Sequence, residues 1–158
     1  MSYLKAKHLS ELLISKSLTI AVAESCTGGA LSSSLTSISG ASSYFNCGFI
    51  TYSNNSKVQM LGVNMQAIET FGAVSEKVAR EMVIGAGEKS QSNLAVSITG
   101  IAGPSGGTPE KPVGMVCFGF FLNGDSTSTT QFFKGSRSDI VSELNDNHMV
   151  VLIPALCL

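Results

Sequence analysis

Three short apolar runs constrain this chain most, because each ends in a polar or glycine-rich turn. They are Thr19-Ile20-Ala21-Val22-Ala23, the stretch from Phe45 to Tyr52, and Leu94 to Thr99. Bounded runs of this length suit strands buried in a sheet. Between them lie segments whose apolar residues recur at helical spacing. Strands alternating with helices form a largely parallel sheet covered on both faces, so the expected fold class is α/β. With 158 residues the chain is expected to form a single domain, 1–158, around one sizeable core.

Local signals place the remaining elements. Residues 3–16 read as an amphipathic helix with Ala6, Leu9, Leu12 and Leu13 on one face. A helix from about Gly28 to Ser39 follows the first strand, and Gly40 stops it. Ser53-Asn54-Asn55 leads into a short helix that holds Lys57, Met60 and Leu61 and ends at Gly62. Asn64 caps another, which ends at Gly72. Ser75 caps a longer one to about Lys89, with Glu76 in its first turn. Gly85 and Gly87 lower the propensity of that helix, which close packing against a sheet would explain. Val113 to Leu122 and about Ser126 to Lys134 are two strands joined by Asn123-Gly124, a strong hairpin signal that requires one antiparallel strand. A last helix begins after Gly135, capped by Ser136 or Ser138.

Composition excludes several classes. The chain is 44% hydrophobic and 13% charged, which is globular rather than disordered. Its formal net charge is −1, and no Lys/Arg cluster stands out, so no nucleic-acid partner is expected. No apolar run is long enough to span a bilayer, so no membrane partner is expected, and the N-terminus shows no signal peptide. Cys26, Cys47, Cys117 and Cys157 are scattered without a C-x-x-C pair, which argues against a zinc ribbon or a disulfide framework. A reduced, cytoplasmic location follows from that cysteine usage. No metal and no cofactor are expected.

In open α/β sheets, ligands bind beyond the carboxyl ends of the strands. Three such ends carry polar or glycine-rich residues here: Glu24 to Gly29, Thr51 to Lys57, and Thr99 to Pro112. In the first, Glu24-Ser25-Cys26-Thr27-Gly28-Gly29 stands where a strand turns into a helix. A Ser, Cys or Thr there can be a nucleophile beside backbone N–H donors; the same residues also suit a plain turn with a helix cap. His8 and His148 lie in the first and last helices, away from these loops, so a Ser-His-Asp triad is not expected. A neutral lysine can replace histidine as base, since burial lowers its pKa. Lys57, just beyond a strand end, is the candidate, with a solvated surface lysine as the alternative.

Several segments, in order, resemble the CinA family, in the C-terminal domain of its competence/damage-inducible proteins. They are Ala23 to Gly29; Tyr44-Phe45 through Thr51-Tyr52-Ser53-Asn54 with Lys57; Gly72-Ala73-Val74-Ser75-Glu76; and Thr99 to Pro104 with Gly106-Gly107-Thr108 and Lys111-Pro112-Val113-Gly114. The resemblance implies a three-layer α/β/α sandwich with a mixed, mostly parallel sheet. It also implies nicotinamide-nucleotide amidase activity, the hydrolysis of nicotinamide mononucleotide to nicotinic acid mononucleotide and ammonia. Ser25 and Lys57 align with the family's catalytic serine and lysine. Backbone groups of Cys26, Thr27 and Gly28 would form the oxyanion site. Tyr52, Thr99 and Arg137 align with substrate-lining residues, and Gly100 opens the adjoining glycine-rich loop. Cys26 is the rival nucleophile.

The chain departs from that pattern in two places. Val141 stands where relatives usually carry a second arginine, and residues 149–158 are apolar all round instead of amphipathic. A helix of that kind must be buried, so part of it is expected to pack against a second copy in a homodimer. Completion of the monomer core, and disorder where Pro154 interrupts the helix, are the alternatives. A nucleotide-binding module without catalysis is the competing expectation for function.

Overall fold

The computed structural model describes residues 3–144. In chain order the elements are α1 (Tyr3–Ser15), β1 (Ile20–Glu24), α2 (Ala30–Thr36), β2 (Phe45–Ile50), α3 (Asn54–Leu61), α4 (Met65–Phe71), α5 (Glu76–Ser90), β3 (Leu94–Gly100), β4 (Met115–Leu122) and β5 (Asp125–Phe132). A final helix, α6, runs over 137–144, the last described residues. His148, the apolar segment 149–158 and the homodimer expected from it lie outside the described residues.

The strand order is β2-β1-β3-β4-β5. β1 pairs in parallel with both β2 and β3, while β3/β4 and β4/β5 are antiparallel. Four of the five strands therefore point one way and β4 alone is reversed, as the Asn123-Gly124 hairpin requires. Asn123 and Gly124 both have positive φ, 49° and 103°, the conformation of a tight hairpin turn.

Side-chain size along the strands decides how the helices lie. In β1, Ile20 and Val22 face one layer, and Ala21 and Ala23 the other. The large face packs on α1, α2 and α6 through Leu9, Leu13, Leu31, Leu35, Ile140 and Leu144. The small face takes α3, α4 and α5. There Ser97 Oγ donates to Ala79 O at 2.6 Å, and a Cβ on Gly119 would come within 2.5 Å of that carbonyl. Small residues on the sheet thus let the α5 backbone approach it directly.

The two α5 glycines have different neighbours. Gly87 sits against the Phe121 ring of β4, so sheet packing explains it. Gly85 instead meets the C-terminus of α3, and a Cβ there would lie 1.9 Å from Leu61 O. Backbone cannot yield as a side chain can, so Gly85→Ala is expected to lower stability by about 3 kcal/mol. A urea midpoint equal to wild type would show that α3 shifts freely.

The expected caps Asn64 and Ser75 are present, accepting from Gln66 N–H and Val78 N–H. Ser53, read from the sequence as part of a turn, forms a reciprocal capping box with Ser56 on α3. Ser136, rather than Ser138, caps α6: its hydroxyl accepts from Asp139 N–H while the Asp139 carboxylate accepts from Ser136 N–H. α2 begins two residues later than its sequence suggests, because Gly28 and Gly29 have φ of +59° and +106° and cannot continue a right-handed helix. No described helix is long and apolar enough to cross a membrane.

Candidate active site

The parallel register brings the strand ends together. Glu24, the last residue of β1, pairs with Ile50 of β2 on one side and Ile98 of β3 on the other. The three expected loops therefore open at one edge of the sheet. They enclose a cleft of about 280 Å³ lined by Ser25, Cys26, Tyr52, Lys57, Thr99, Gly100 and Arg137, together with Asn54, Ala73, Val74 and the first part of the glycine-rich loop.

Ser25 follows β1 directly, and its N–H donates to Ile98 O at 3.0 Å. The turn after it is held by Glu24, which is fully buried. One carboxylate oxygen of Glu24 accepts from the N–H of Gly29 and Leu31, each at 3.1 Å. The other accepts from Ser32 N–H at 2.8 Å and Ser32 Oγ at 2.6 Å. Ser32 fits because residue 48 on β2 is glycine; a Cβ there would come within 2.5 Å of its hydroxyl. Glu24 is thus an internal cap for α2, satisfying N–H groups that would otherwise be orphaned. Glu24→Ala would leave these donors without their acceptor, and is expected to lower stability by about 3 kcal/mol. An unchanged unfolding midpoint would remove Glu24 from this role.

Lys57 reaches the same point from α3. Its side chain is buried, with 1% of the residue exposed. Nζ donates to Ser25 Oγ at 3.0 Å and to Thr51 O at 2.7 Å, with Tyr52 O at 3.5 Å. None of these partners is a carboxylate, so the hydrogen bonds and the small raising effect of Cys26 offset only part of the hydration lost around the ammonium. Burial accordingly pulls the Lys57 pKa down from 10.5 to about 8. This is not a solvated surface lysine. Cys26 is affected in the opposite sense: burial pushes its thiol up to about 11, so it is protonated at neutral pH.

The oxyanion candidates divide. Gly28 N–H donates to Ser25 O at 3.1 Å, closing the turn, so the expected third donor is already engaged. The N–H groups of Cys26 and Thr27 donate to no carbonyl of the described residues. Thr27 is buried, and its hydroxyl has no partner among those residues.

Thr99 lines the cleft, but its hydroxyl donates to Ala73 O at 2.9 Å and ties down the wall. Arg137, at the start of α6, donates to Gly103 O at 3.0 Å and to the Tyr52 hydroxyl at 3.1 Å, joining three segments at the mouth. Val141 packs against the core and does not line the cleft. Among the described residues, Lys57 and Arg137 are the cationic ones lining it, and no Asp or Glu does. Asn54, Ala73 and Val74 fell within segments the sequence singled out, but none of them was expected to line the site, because Asn54 read as a turn residue and Ala73 and Val74 carry no chemistry of their own. No group of three or more His, Cys, Asp or Glu side chains among the described residues could hold a metal.

Known proteins are similar to this chain in sequence and in fold. A CinA-like protein of Chlorobium limicola is 58% identical over 111 residues, 70% of this chain and 26% of that protein. A competence-damage inducible protein of Alkaliphilus oremlandii is 52% identical over 134 residues, 85% of this chain and 32% of that protein. The chain thus spans about a quarter to a third of the length of the curated relatives it matches. Solved structures match along nearly their full length. The competence/damage inducible protein CihA from Agrobacterium tumefaciens has a TM-score of 0.93 and 38% identity, covering 99% of this chain and 95% of that one. A CinA superfamily protein from Klebsiella pneumoniae has a TM-score of 0.96 and 27% identity, covering 99% and 98%. The family model for the CinA C-terminal domain matches residues 3–156. With fold and sequence in agreement, the chain belongs to the CinA C-terminal domain family.

Proposed function

We propose that this domain is an amidohydrolase that converts nicotinamide mononucleotide to nicotinic acid mononucleotide and ammonia by a Ser/Lys mechanism. The observation that carries this reading is the Lys57 amine, buried, lowered to about pKa 8 and 3.0 Å from Ser25 Oγ. A base with a pKa near the working pH combines a populated neutral form with enough basicity to take a proton.

Neutral Lys57 takes the Ser25 proton as Oγ bonds to the amide carbon. The oxygen of the tetrahedral adduct is stabilised by the N–H groups of Cys26 and Thr27, each worth about 3 kcal/mol in sites of this kind. Lys57 then gives its proton to the leaving nitrogen, the C–N bond breaks and ammonia departs. Water attacks the ester carbon, and Lys57 takes a proton from the water and returns it to Ser25. At the mouth, the Arg137 guanidinium and the glycine-rich backbone suit a phosphate, and the Tyr52 ring offers an aromatic face. A lining with two cations and no carboxylate among the described residues favours an anionic substrate.

The test is direct: wild-type protein with nicotinamide mononucleotide should release ammonia and the carboxylate nucleotide in equal amounts. Val141, lying outside the cleft, leaves Arg137 without the second arginine of relatives, which favours the competing reading of a non-catalytic module. Nucleotide binding without ammonia release would establish that reading instead.

A further inference from the structure

The cleft has two halves, joined at the mouth by Arg137 and along β3 by the Thr99 hydroxyl on Ala73 O. The catalytic half hangs on the parallel strands, through Ser25 N–H to Ile98 O, Thr51 N–H to Glu24 O at 2.8 Å, and Lys57 to Thr51 O. The opposite half consists of the Ala73–Val74 wall and the glycine-rich loop between β3 and β4. One long side chain crosses between these two segments. Lys111, on the loop, donates from Nζ to Phe71 O and to Val74 O, the latter at 2.7 Å.

Both ends of this crossing are built. On the loop, Lys111 N–H donates to Thr108 Oγ1 at 3.1 Å, and Lys111 O accepts from Thr108 N–H at 2.9 Å. On the wall, Phe71 is the last residue of α4, where unpaired carbonyls attract a cation. Gly72 lies beneath the ammonium with φ of +78°, and a Cβ there would come within 2.7 Å of Nζ. No carboxylate of the described residues forms an ion pair with Lys111. Its ammonium serves backbone carbonyls on a wall of the cleft. The same loop presents Gly103 O to Arg137.

We infer that Lys111 is a positioning residue for the substrate-binding half of the cleft. It sets the spacing between the Ala73–Val74 wall and the loop that holds Arg137, and it leaves the Ser25–Lys57 pair alone. The kinetic consequence rests on the amidohydrolase reading above; the tie itself does not.

The test uses the full chain with Lys111→Met, which removes the charge, and Lys111→Gln, which keeps a donor. In Lys111→Met the KM for nicotinamide mononucleotide should rise about tenfold, with kcat within about twofold of wild type. The pH midpoint of the rate should stay where wild type has it, and Lys111→Gln should show a smaller rise in KM. Amide hydrogen exchange should quicken in residues 71–75 and 101–114 and stay unchanged in 20–27 and 54–61. A fall in kcat with a displaced pH midpoint, or exchange identical to wild type in the wall and loop, overturns the inference. If wild-type protein releases no ammonia, the functional reading fails and the exchange pattern alone decides the role of Lys111.

Discussion

Ser25→Ala is expected to abolish ammonia release from nicotinamide mononucleotide, a loss of about a thousandfold or more, while Cys26→Ala keeps most of the rate. The two residues are adjacent, and both line the cleft. They differ in what activates them. Lys57 Nζ donates to Ser25 Oγ at 3.0 Å, so the proton to be moved and the base that moves it are already in contact. The Cys26 thiol, pushed up to about 11, offers almost no thiolate at neutral pH. Ser25 loses only a hydroxyl in the alanine variant, so its unfolding midpoint should stay near wild type, which separates lost chemistry from lost fold. An active Ser25→Ala protein beside a silent Cys26→Ala protein would transfer the nucleophile to Cys26 and sink the Ser/Lys mechanism.

Lys57→Met should be equally silent, and it carries a second signature in pH. In wild-type protein the rate should rise with pH and level off around a midpoint near 8, where the buried amine becomes neutral. Stability should follow the same group. Unfolded, the amine titrates near 10.5, and folded near 8, so between those values the unfolded chain holds more protons. Stability therefore rises with pH through that window. Below it, the buried ammonium costs the fold about 3 kcal/mol relative to high pH. In Lys57→Met this contribution is gone, so the difference between the two unfolding midpoints should change from pH 7.5 to pH 9.5. A constant difference across that range, or a rate with no inflection near pH 8, would return Lys57 to the role of an ordinary lysine.

Local chemistry was legible in the chain because it acts over a few residues. Asn64 and Ser75 announced helix starts, and Asn123-Gly124 announced the hairpin, since caps and turns depend on neighbours within one turn of chain. Ser25 and Lys57 could each be placed at a strand end for the same reason. What could not be read was Glu24 as an internal cap. It stood as one polar residue among several, and its acceptors reach Ser32 through a space that Gly48 leaves open on another strand.

The sequence by itself determined the kinds of elements, their caps and the loops that carry chemistry, because periodicity and turn preference are properties of short stretches. Tertiary structure alone decided what those loops do together. Ser25 and Lys57 are 32 residues apart, and they meet because β1 and β2 pair in parallel with Glu24 opposite Ile50. Arg137 meets Tyr52 across 85 residues, and Lys111 meets Val74 across 37. Gly28 lost its expected donor role because a turn closed on Ser25 O, and Thr99 became a wall tie because Ala73 O lay within reach. Such pairings depend on strand order and register, which are set by burying the whole core at once and leave no mark in any single stretch of chain.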